Sequence, residues 1–90
     1  MKTVQVRIEG RVQGVYFRDY TRREALQQGV AGWVRNLPDG GVEAVITGPD
    51  KAVEAMLDWF QIGSPHAVVR AVKVTDIVPP QEFPGFDIRY

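Results

Sequence analysis

"VQVRIEGRVQGVYFR", residues 4–18, joins a strand pattern to a glycine-bearing loop, and the predicted fold depends on this junction. Val4, Val6 and Ile8 alternate with polar residues, which is the period of a strand with one buried face. The loop after Glu9 carries two glycines and two arginines but no acid. Because loop N–H groups that point inward, with a cation at each end, suit an anion, the sequence predicts a strand that leads into an anion-binding loop.

Two helices are predicted from the remaining sequence. The first, "RDYTRREALQQ" over residues 18–28, is rich in helix formers, and Gly29 provides a natural C-terminal cap. Its apolar stripe is weak and consists of Phe17, Thr21 and Ala25. The second begins near Pro49 and Asp50 and ends at Gly63. Its apolar residues recur at i, i+3, i+4 and i+7, which indicates an amphipathic helix: Val53, Met56, Leu57 and Phe60.

Four further strands complete the predicted fold. "VAGWVRN" and "GVEAVITG" flank "LPDGG" and predict a hairpin, while "AVVRAVKVTDIV" and the terminal "FDIRY" predict a fourth strand and a short fifth one. The resulting order, βαββαβ with an added strand, is typical of an α+β, ferredoxin-like fold. We therefore expect an antiparallel sheet of four to five strands with two helices on one face. The length of 90 residues predicts a single domain over residues 1–90.

This topology brings two distant segments together. In a split βαβ fold the first two strands run parallel with the third between them, so the loop after strand one and the end of strand two emerge at the same edge. Strands lie about 4.8 Å apart, which separates strands one and two by roughly 10 Å. We therefore expect Asn36, at the end of strand two, to lie beside the loop that ends at Arg18.

Composition excludes several classes of function. Eleven Lys and Arg balance eleven Asp and Glu, so the chain lacks the broad basic surface of a nucleic-acid binder. It has no cysteine and one histidine, His66, which argues against a disulfide framework, a thiol nucleophile and a metal site. No signal peptide or membrane span is indicated, so we expect a cytoplasmic protein with no membrane partner. We also expect a monomer.

The residues of the loop and hairpin each have a structural as well as a functional interpretation. Gly10 and Gly14 could serve solely to supply positive φ for a turn. Alternatively, they could let the backbone approach an anion. Arg18 could be a solvated surface charge, or could form a bidentate pair with an anion at the start of helix one. Asparagine is common at hairpin ends, so Asn36 could be a turn residue. Its side-chain amide could also hold a water molecule against a bound electrophile.

"GRVQGVYFR" followed by "GWVRNLPDGGVEA" resembles the acylphosphatase family, and the similarity extends over nearly the whole chain to "GSP" after helix two and the terminal "FDIRY". The resemblance implies metal-independent hydrolysis of the carboxyl–phosphate bond of small acyl phosphates, with no cofactor. It implies that Arg18 and Asn36 are catalytic. It also implies that loop amides wrap the phosphate, at Gln13, Gly14, Val15, Tyr16, Phe17 and Arg18.

The residue inventory agrees with this chemistry. A carboxylate is a weak base and leaves without a general acid, so the site can be built without His, Cys or Asp. Phosphoryl transfer is accelerated mainly by charge stabilisation and alignment of the nucleophile. Inorganic phosphate and sulfate are then expected to compete with substrate. Two alternatives remain at this stage: a non-catalytic module that senses a small anion, and the acylphosphatase-like part of a larger modification enzyme, against which the short length argues.

Overall fold

Local sequence signals account for every helix and strand of the protein. The computed structural model describes residues 1–90, and the bounds of its elements differ from the predicted ones by at most two residues. In chain order the elements are β1 (Lys2–Arg11), α1 (Phe17–Gln28), β2 (Ala31–Asn36), β3 (Val42–Gly48), α2 (Asp50–Ile62), β4 (Val68–Asp76) and β5 (Phe86–Arg89). The predicted βαββαβ order with an added strand is confirmed.

The five strands form one sheet in the order β4-β1-β3-β2-β5. The first four pair antiparallel, as predicted, whereas β5 pairs parallel to β2. The expectation of a wholly antiparallel sheet is therefore corrected to a mixed sheet. The physical reason is that β5 has only four residues, and a short alternating pattern carries no information about the direction of its neighbour.

The register of β3 places Ile8, near the end of β1, level with Asn36, the last residue of β2. Val42 is paired with Ile8 on one side and with Asn36 on the other. Ile8 and Asn36 are thus two strand spacings apart, roughly 10 Å. The loop that follows β1 and the end of β2 consequently share one edge of the sheet, as the predicted topology requires.

Both helices pack on the same face of the sheet. α1 lies against β2 and β5, and α2 lies against β4, β1 and β3. The weak stripe of α1 is buried as predicted, with Thr21 and Ala25 fully inaccessible. Phe17 stacks on Phe60 of α2 with ring centroids 6.2 Å apart. Neither helix has the length and apolar character that crossing a bilayer needs.

A strap, residues 77–85, carries the chain from β4 across the open face of the sheet to β5. Thr3 and Thr47 lie opposite each other on β1 and β3, and their hydroxyl oxygens are 2.7 Å apart. The backbone N–H of Gln81 donates to Thr3 Oγ1 at 2.8 Å, and Thr47 Oγ1 donates to the Gln81 carbonyl at 2.9 Å. Two buried threonines therefore hold the middle of the strap on the sheet.

We predict that Thr3→Val lowers the free energy of unfolding by about 1–2 kcal/mol, because the Gln81 N–H loses its acceptor and the Thr47 hydroxyl keeps only the Gln81 carbonyl as a partner. Chemical denaturation followed by circular dichroism measures this difference. Thr75→Val is the matched control, since Thr75 is exposed on β4. Equal stability of the two variants would show that the hydroxyl pair does not hold the strap.

Candidate active site

A cavity of about 370 Å³ opens at the sheet edge where the loop after β1 meets the ends of β2 and β5. Its wall combines the first turn of α1 with residues from all three of these segments. The lining residues are Val12, Gly14, Tyr16, Phe17, Arg18, Asp19, Asn36, Ile88 and Tyr90. The structure thus brings the loop, Arg18 and Asn36 into one cavity, although 18 positions separate the two side chains in the sequence.

The anion loop, residues 12–16, presents a series of backbone donors without protein acceptors. Gly14 has a φ of 73° and Tyr16 has a φ of 58°, on either side of Val15. Backbone that alternates in this way turns successive N–H groups toward one concavity. The N–H groups of residues 14–19 donate to no acceptor within the protein. They include the first three of α1, so the positive end of the helix dipole adds to the same site.

Ser64 orients one peptide of the anion loop. Its side chain is buried, and its hydroxyl donates to the Val15 carbonyl at 2.9 Å. In a trans peptide the C=O and the following N–H point in opposite directions. Because the Val15 carbonyl is directed at Ser64, the Tyr16 N–H is turned the other way. This hydrogen bond also supports Tyr16 in a left-handed conformation that costs a residue with a β-carbon about 1–3 kcal/mol.

Gln13 joins the anion loop to the β2–β3 turn. Its Nε2 donates to the carbonyl oxygens of Leu37 and Gly41, both at 2.8 Å. Leu37 directly follows Asn36, and its N–H donates to the Gly41 carbonyl at 2.8 Å, which closes the turn. The Gln13 side chain therefore sets the position of the loop relative to the end of β2.

Arg18 is half-buried and held by the C-terminal residues of the chain. Its Nη1 donates to the Arg89 carbonyl at 3.2 Å, and its guanidinium carbon lies 4.6 Å from the centre of the Tyr90 ring. A planar guanidinium has five N–H donors, so most of them stay available to another ligand. β5 and Tyr90 thus orient Arg18 without neutralising its charge.

Asn36 ends β2 on the face of the sheet that carries the helices. It shares this face with the buried Val34, since side chains two positions apart in a strand point the same way. Its side-chain amide forms no hydrogen bond within the protein, and Asn36 lines the cavity. An amide so placed has both donors and an acceptor free for a ligand.

The two glycines of the opening motif have different reasons to be glycine. A β-carbon on Gly10 would lie 2.1 Å from the Val68 carbonyl oxygen, where β1 and β4 pair around an irregularity in register. A β-carbon on Gly14 would meet no protein atom within 4 Å, although its φ of 73° favours glycine. Gly10 therefore serves the sheet, while the space beside Gly14 belongs to the cavity.

The predicted site residues take different positions around the cavity. Gly14, Tyr16, Phe17 and Arg18 line it together with Asn36, whereas Gln13 and Val15 do not. Gln13 and Val15 instead anchor the loop, and the phosphate contacts predicted for all these residues stay a prediction. His66 is exposed in the turn after α2 and lies outside the cavity wall. No group of three or more His, Cys, Asp or Glu side chains is placed to hold a metal ion.

Sequence reasoning missed several residues of this site. The cavity wall contains one side-chain carboxylate, that of Asp19, so the expected site without His, Cys or Asp is corrected on this point. Ile88 and Tyr90 reach the cavity because β5 pairs with β2. Ser64 belongs to the "GSP" segment, and that similarity to the family was the only signal that could have found it.

Comparison with known proteins assigns the chain to a family. Residues 4–88 match the acylphosphatase family over almost the whole sequence. The chain belongs to the acylphosphatase family. An acylphosphatase from Thiobacillus denitrificans is 52% identical over 89 residues, which cover 99% of this chain and 98% of that protein. The protein therefore hydrolyses acyl phosphates.

Solved acylphosphatases have the same architecture. An acylphosphatase from Bacillus subtilis superimposes with a TM-score of 0.96 at 36% identity and covers 100% of both chains. One from Coxiella burnetii gives a TM-score of 0.93 at 34% identity, covering 98% of this chain and 92% of that chain. The ferredoxin-like α+β fold is thus confirmed.

We predict that Ser64→Ala in this acylphosphatase raises the inhibition constant for inorganic phosphate about three- to tenfold, because the Val15 carbonyl loses the donor that orients its peptide. Phosphate inhibition and the separate values of kcat and KM measure the effect. A purely structural role would lower stability alone and leave phosphate affinity unchanged in the folded fraction. Ser64→Thr, which retains the hydroxyl, is expected to restore much of the affinity.

Proposed function

We propose that this acylphosphatase binds the phosphoryl group of its substrate with the anion loop and Arg18, and that Asn36 orients the attacking water. The backbone contributes at the loop residues Gln13, Gly14, Val15 and Tyr16 and at Phe17 and Arg18 in the first turn of α1, as the family resemblance implies. The observation that carries this proposal is the run of N–H groups without acceptors at residues 14–19, beside the cavity. Because these donors have no partner in the protein and the positive end of the α1 dipole lies beside them, the run favours an anionic ligand.

Arg18 complements the loop because its charge acts where negative charge accumulates. The three equatorial oxygens of the transferring group carry that charge in the transition state, and fixed donors stabilise it without reorganisation. The Arg89 carbonyl and the Tyr90 ring hold the guanidinium in place before substrate binds. The proposed role of Arg18 therefore covers both binding and transition-state stabilisation.

Asn36 acts on the nucleophile in this mechanism. Its amide oxygen can accept a hydrogen bond from water, and its orientation is set by the β2–β3 pairing and the turn tied to Gln13. The water then attacks phosphorus, the phosphorus–oxygen bond to the acyl group breaks, and the carboxylate leaves with the electron pair, while both protons of the water remain on oxygens of the product phosphate. Because a carboxylate is a weak base, no group has to protonate it.

Several finer features follow from the same mechanism. We propose that the reaction requires no metal or other cofactor, since charge stabilisation comes from N–H groups and Arg18. Inorganic phosphate and sulfate share the tetrahedral anion and should compete with substrate. A monomer of one domain, residues 1–90, contains every residue assigned here. The absence of cysteine fits a reducing compartment such as the cytoplasm, and no nucleic-acid or membrane partner is proposed.

The metal-free mechanism predicts that hydrolysis of acetyl phosphate continues at an unchanged rate in excess chelator. Phosphate release is measured with and without EDTA, at fixed ionic strength, and after dialysis against the chelator. Inorganic phosphate is added in a second series and should raise KM without changing kcat. Loss of turnover in chelator that magnesium restores, or purely noncompetitive inhibition by phosphate, would contradict the proposal.

Substitutions of Arg18 and Asn36 should have separable effects. Arg18→Ala should weaken phosphate binding by roughly one to two orders of magnitude, because a hydrogen bond to a charged group contributes about 1.5–3 kcal/mol. Arg18→Lys should recover little, since it lacks the planar fork. Asn36→Ala should bind phosphate almost normally, while kcat falls ~10²-fold or more, the scale for one positioned polar group.

Calorimetric titration with phosphate, together with kcat for each variant, distinguishes the two roles. Arg35→Ala is a suitable control, because Arg35 precedes Asn36 but points to the other face, where it pairs with Glu43 at 2.7 Å. Circular dichroism checks that all variants are folded. If Asn36→Ala kept the wild-type kcat, Asn36 would have only a structural role in the hairpin, and another group would have to orient the attacking water.

A further inference from the structure

We infer that Asp19 makes this enzyme select acyl phosphates whose acyl group carries no negative charge. The inference rests on the proposed function, because it assumes that the phosphoryl group occupies the loop and Arg18. It adds a specificity-determining residue on the cavity wall and a substrate class: neutral acyl groups over acyl groups that bear a carboxylate.

Asp19 is the one acidic residue that lines the cavity. It lies in the first turn of α1, next to Arg18, and is exposed. A carboxylate favours this end of the helix through the helix dipole, but it also puts negative charge beside a site for an anion. Asp19 is therefore placed to act on charge in the substrate.

The charge of Asp19 is not neutralised by a neighbouring cation. None of the salt bridges of the protein includes it. Arg22 and Arg23, three and four residues further along α1, could pair with it on the helix surface. Instead, Arg22 donates to the Phe86 carbonyl at 3.2 Å, and the Arg23 guanidinium lies 5.1 Å from the centre of the Tyr20 ring.

Arg18 does not remove this repulsion once substrate is bound. In the proposed mechanism its guanidinium donates hydrogen bonds to the phosphoryl oxygens. Its remaining contacts are the Arg89 carbonyl and the Tyr90 ring. An acyl carboxylate would thus meet Asp19 without a free counter-charge from the cavity wall, since Arg18 is the only basic residue there.

The size of the cavity keeps the two charges close. A sphere of about 370 Å³ is roughly 9 Å across, comparable to the Debye length of about 8–10 Å near physiological ionic strength. A carboxylate on the acyl group therefore lies within about one Debye length of Asp19 while it stays in the cavity, so salt weakens their repulsion without abolishing it. In a medium close to water, two like charges change an equilibrium about fourfold at a separation of about 5 Å and about twofold at about 9 Å.

The test compares butyryl phosphate with succinyl phosphate, whose acyl groups both have four carbons and differ by a terminal methyl or carboxylate. The measured quantity is the ratio of kcat/KM for succinyl phosphate to that for butyryl phosphate. Because both substrates carry the same phosphoryl group, any effect of Asp19 on that group cancels in the ratio. Only the interaction with the acyl charge remains.

Asp19→Asn is expected to raise this ratio about two- to fourfold at low salt, and less at high salt, where the charges are screened. Glu24→Gln is the matched control. It removes one negative charge from the same helix, about 7.5 Å further along the axis and outside the cavity wall, and should leave the ratio unchanged.

An unchanged ratio in Asp19→Asn would overturn the inference, as would an equal rise in Glu24→Gln. Turnover of butyryl phosphate by the wild-type protein and by Arg18→Ala reports the proposed function separately. Normal butyryl turnover that depends on Arg18, together with an unchanged ratio, would reject the role of Asp19 alone. Butyryl turnover that survives in Arg18→Ala would instead contradict the proposed function.

Discussion

The antiparallel pairing of β3 with both β1 and β2 is the constraint on which the site depends. Because Val42 is opposite both Ile8 and Asn36, the ends of β1 and β2 come to the same edge at a fixed separation. A slip of one residue in β2 would turn Asn36 to the open face of the sheet. The register of the sheet, and not only its topology, therefore puts an amide in the cavity.

The anion loop has little regular structure of its own, so contacts from distant parts of the chain hold its shape. Ser64 directs the Val15 peptide, and Gln13 ties the loop to the hairpin. The strap delivers β5, whose C-terminal end orients Arg18. These contacts leave the loop N–H groups free, because each contact uses a carbonyl oxygen or a side chain of the loop or of Arg18 and none uses a backbone N–H. An anion site is thus preorganised without consuming its donors.

Most of the fold and part of the site were predictable from local patterns. The alternation of β1 and the stripes of α1 and α2 identified residues that are buried, including the weak stripe with Thr21. Loop and hairpin motifs identified Arg18 and Asn36 as cavity residues. The parallel pairing of β5 and the carboxylate of Asp19 in the wall were not foreseen. Both depend on which surfaces meet after folding, and neither has a periodic pattern.

Element boundaries, the order of strands and helices, and the family motifs are already present in the order of the residues, because periodicity, capping and turn chemistry act over a few neighbouring positions. The hydrogen-bond partners of the side chains that support the site cannot be read from the order of the residues. Three hydrogen bonds join residues far apart in the sequence: Gln13 to Leu37 across 24 positions, Ser64 to Val15 across 49, and Arg18 to Arg89 across 71. Such pairs carry no local signal, since only the packing of the helices and the strap onto the sheet brings their atoms within hydrogen-bonding distance.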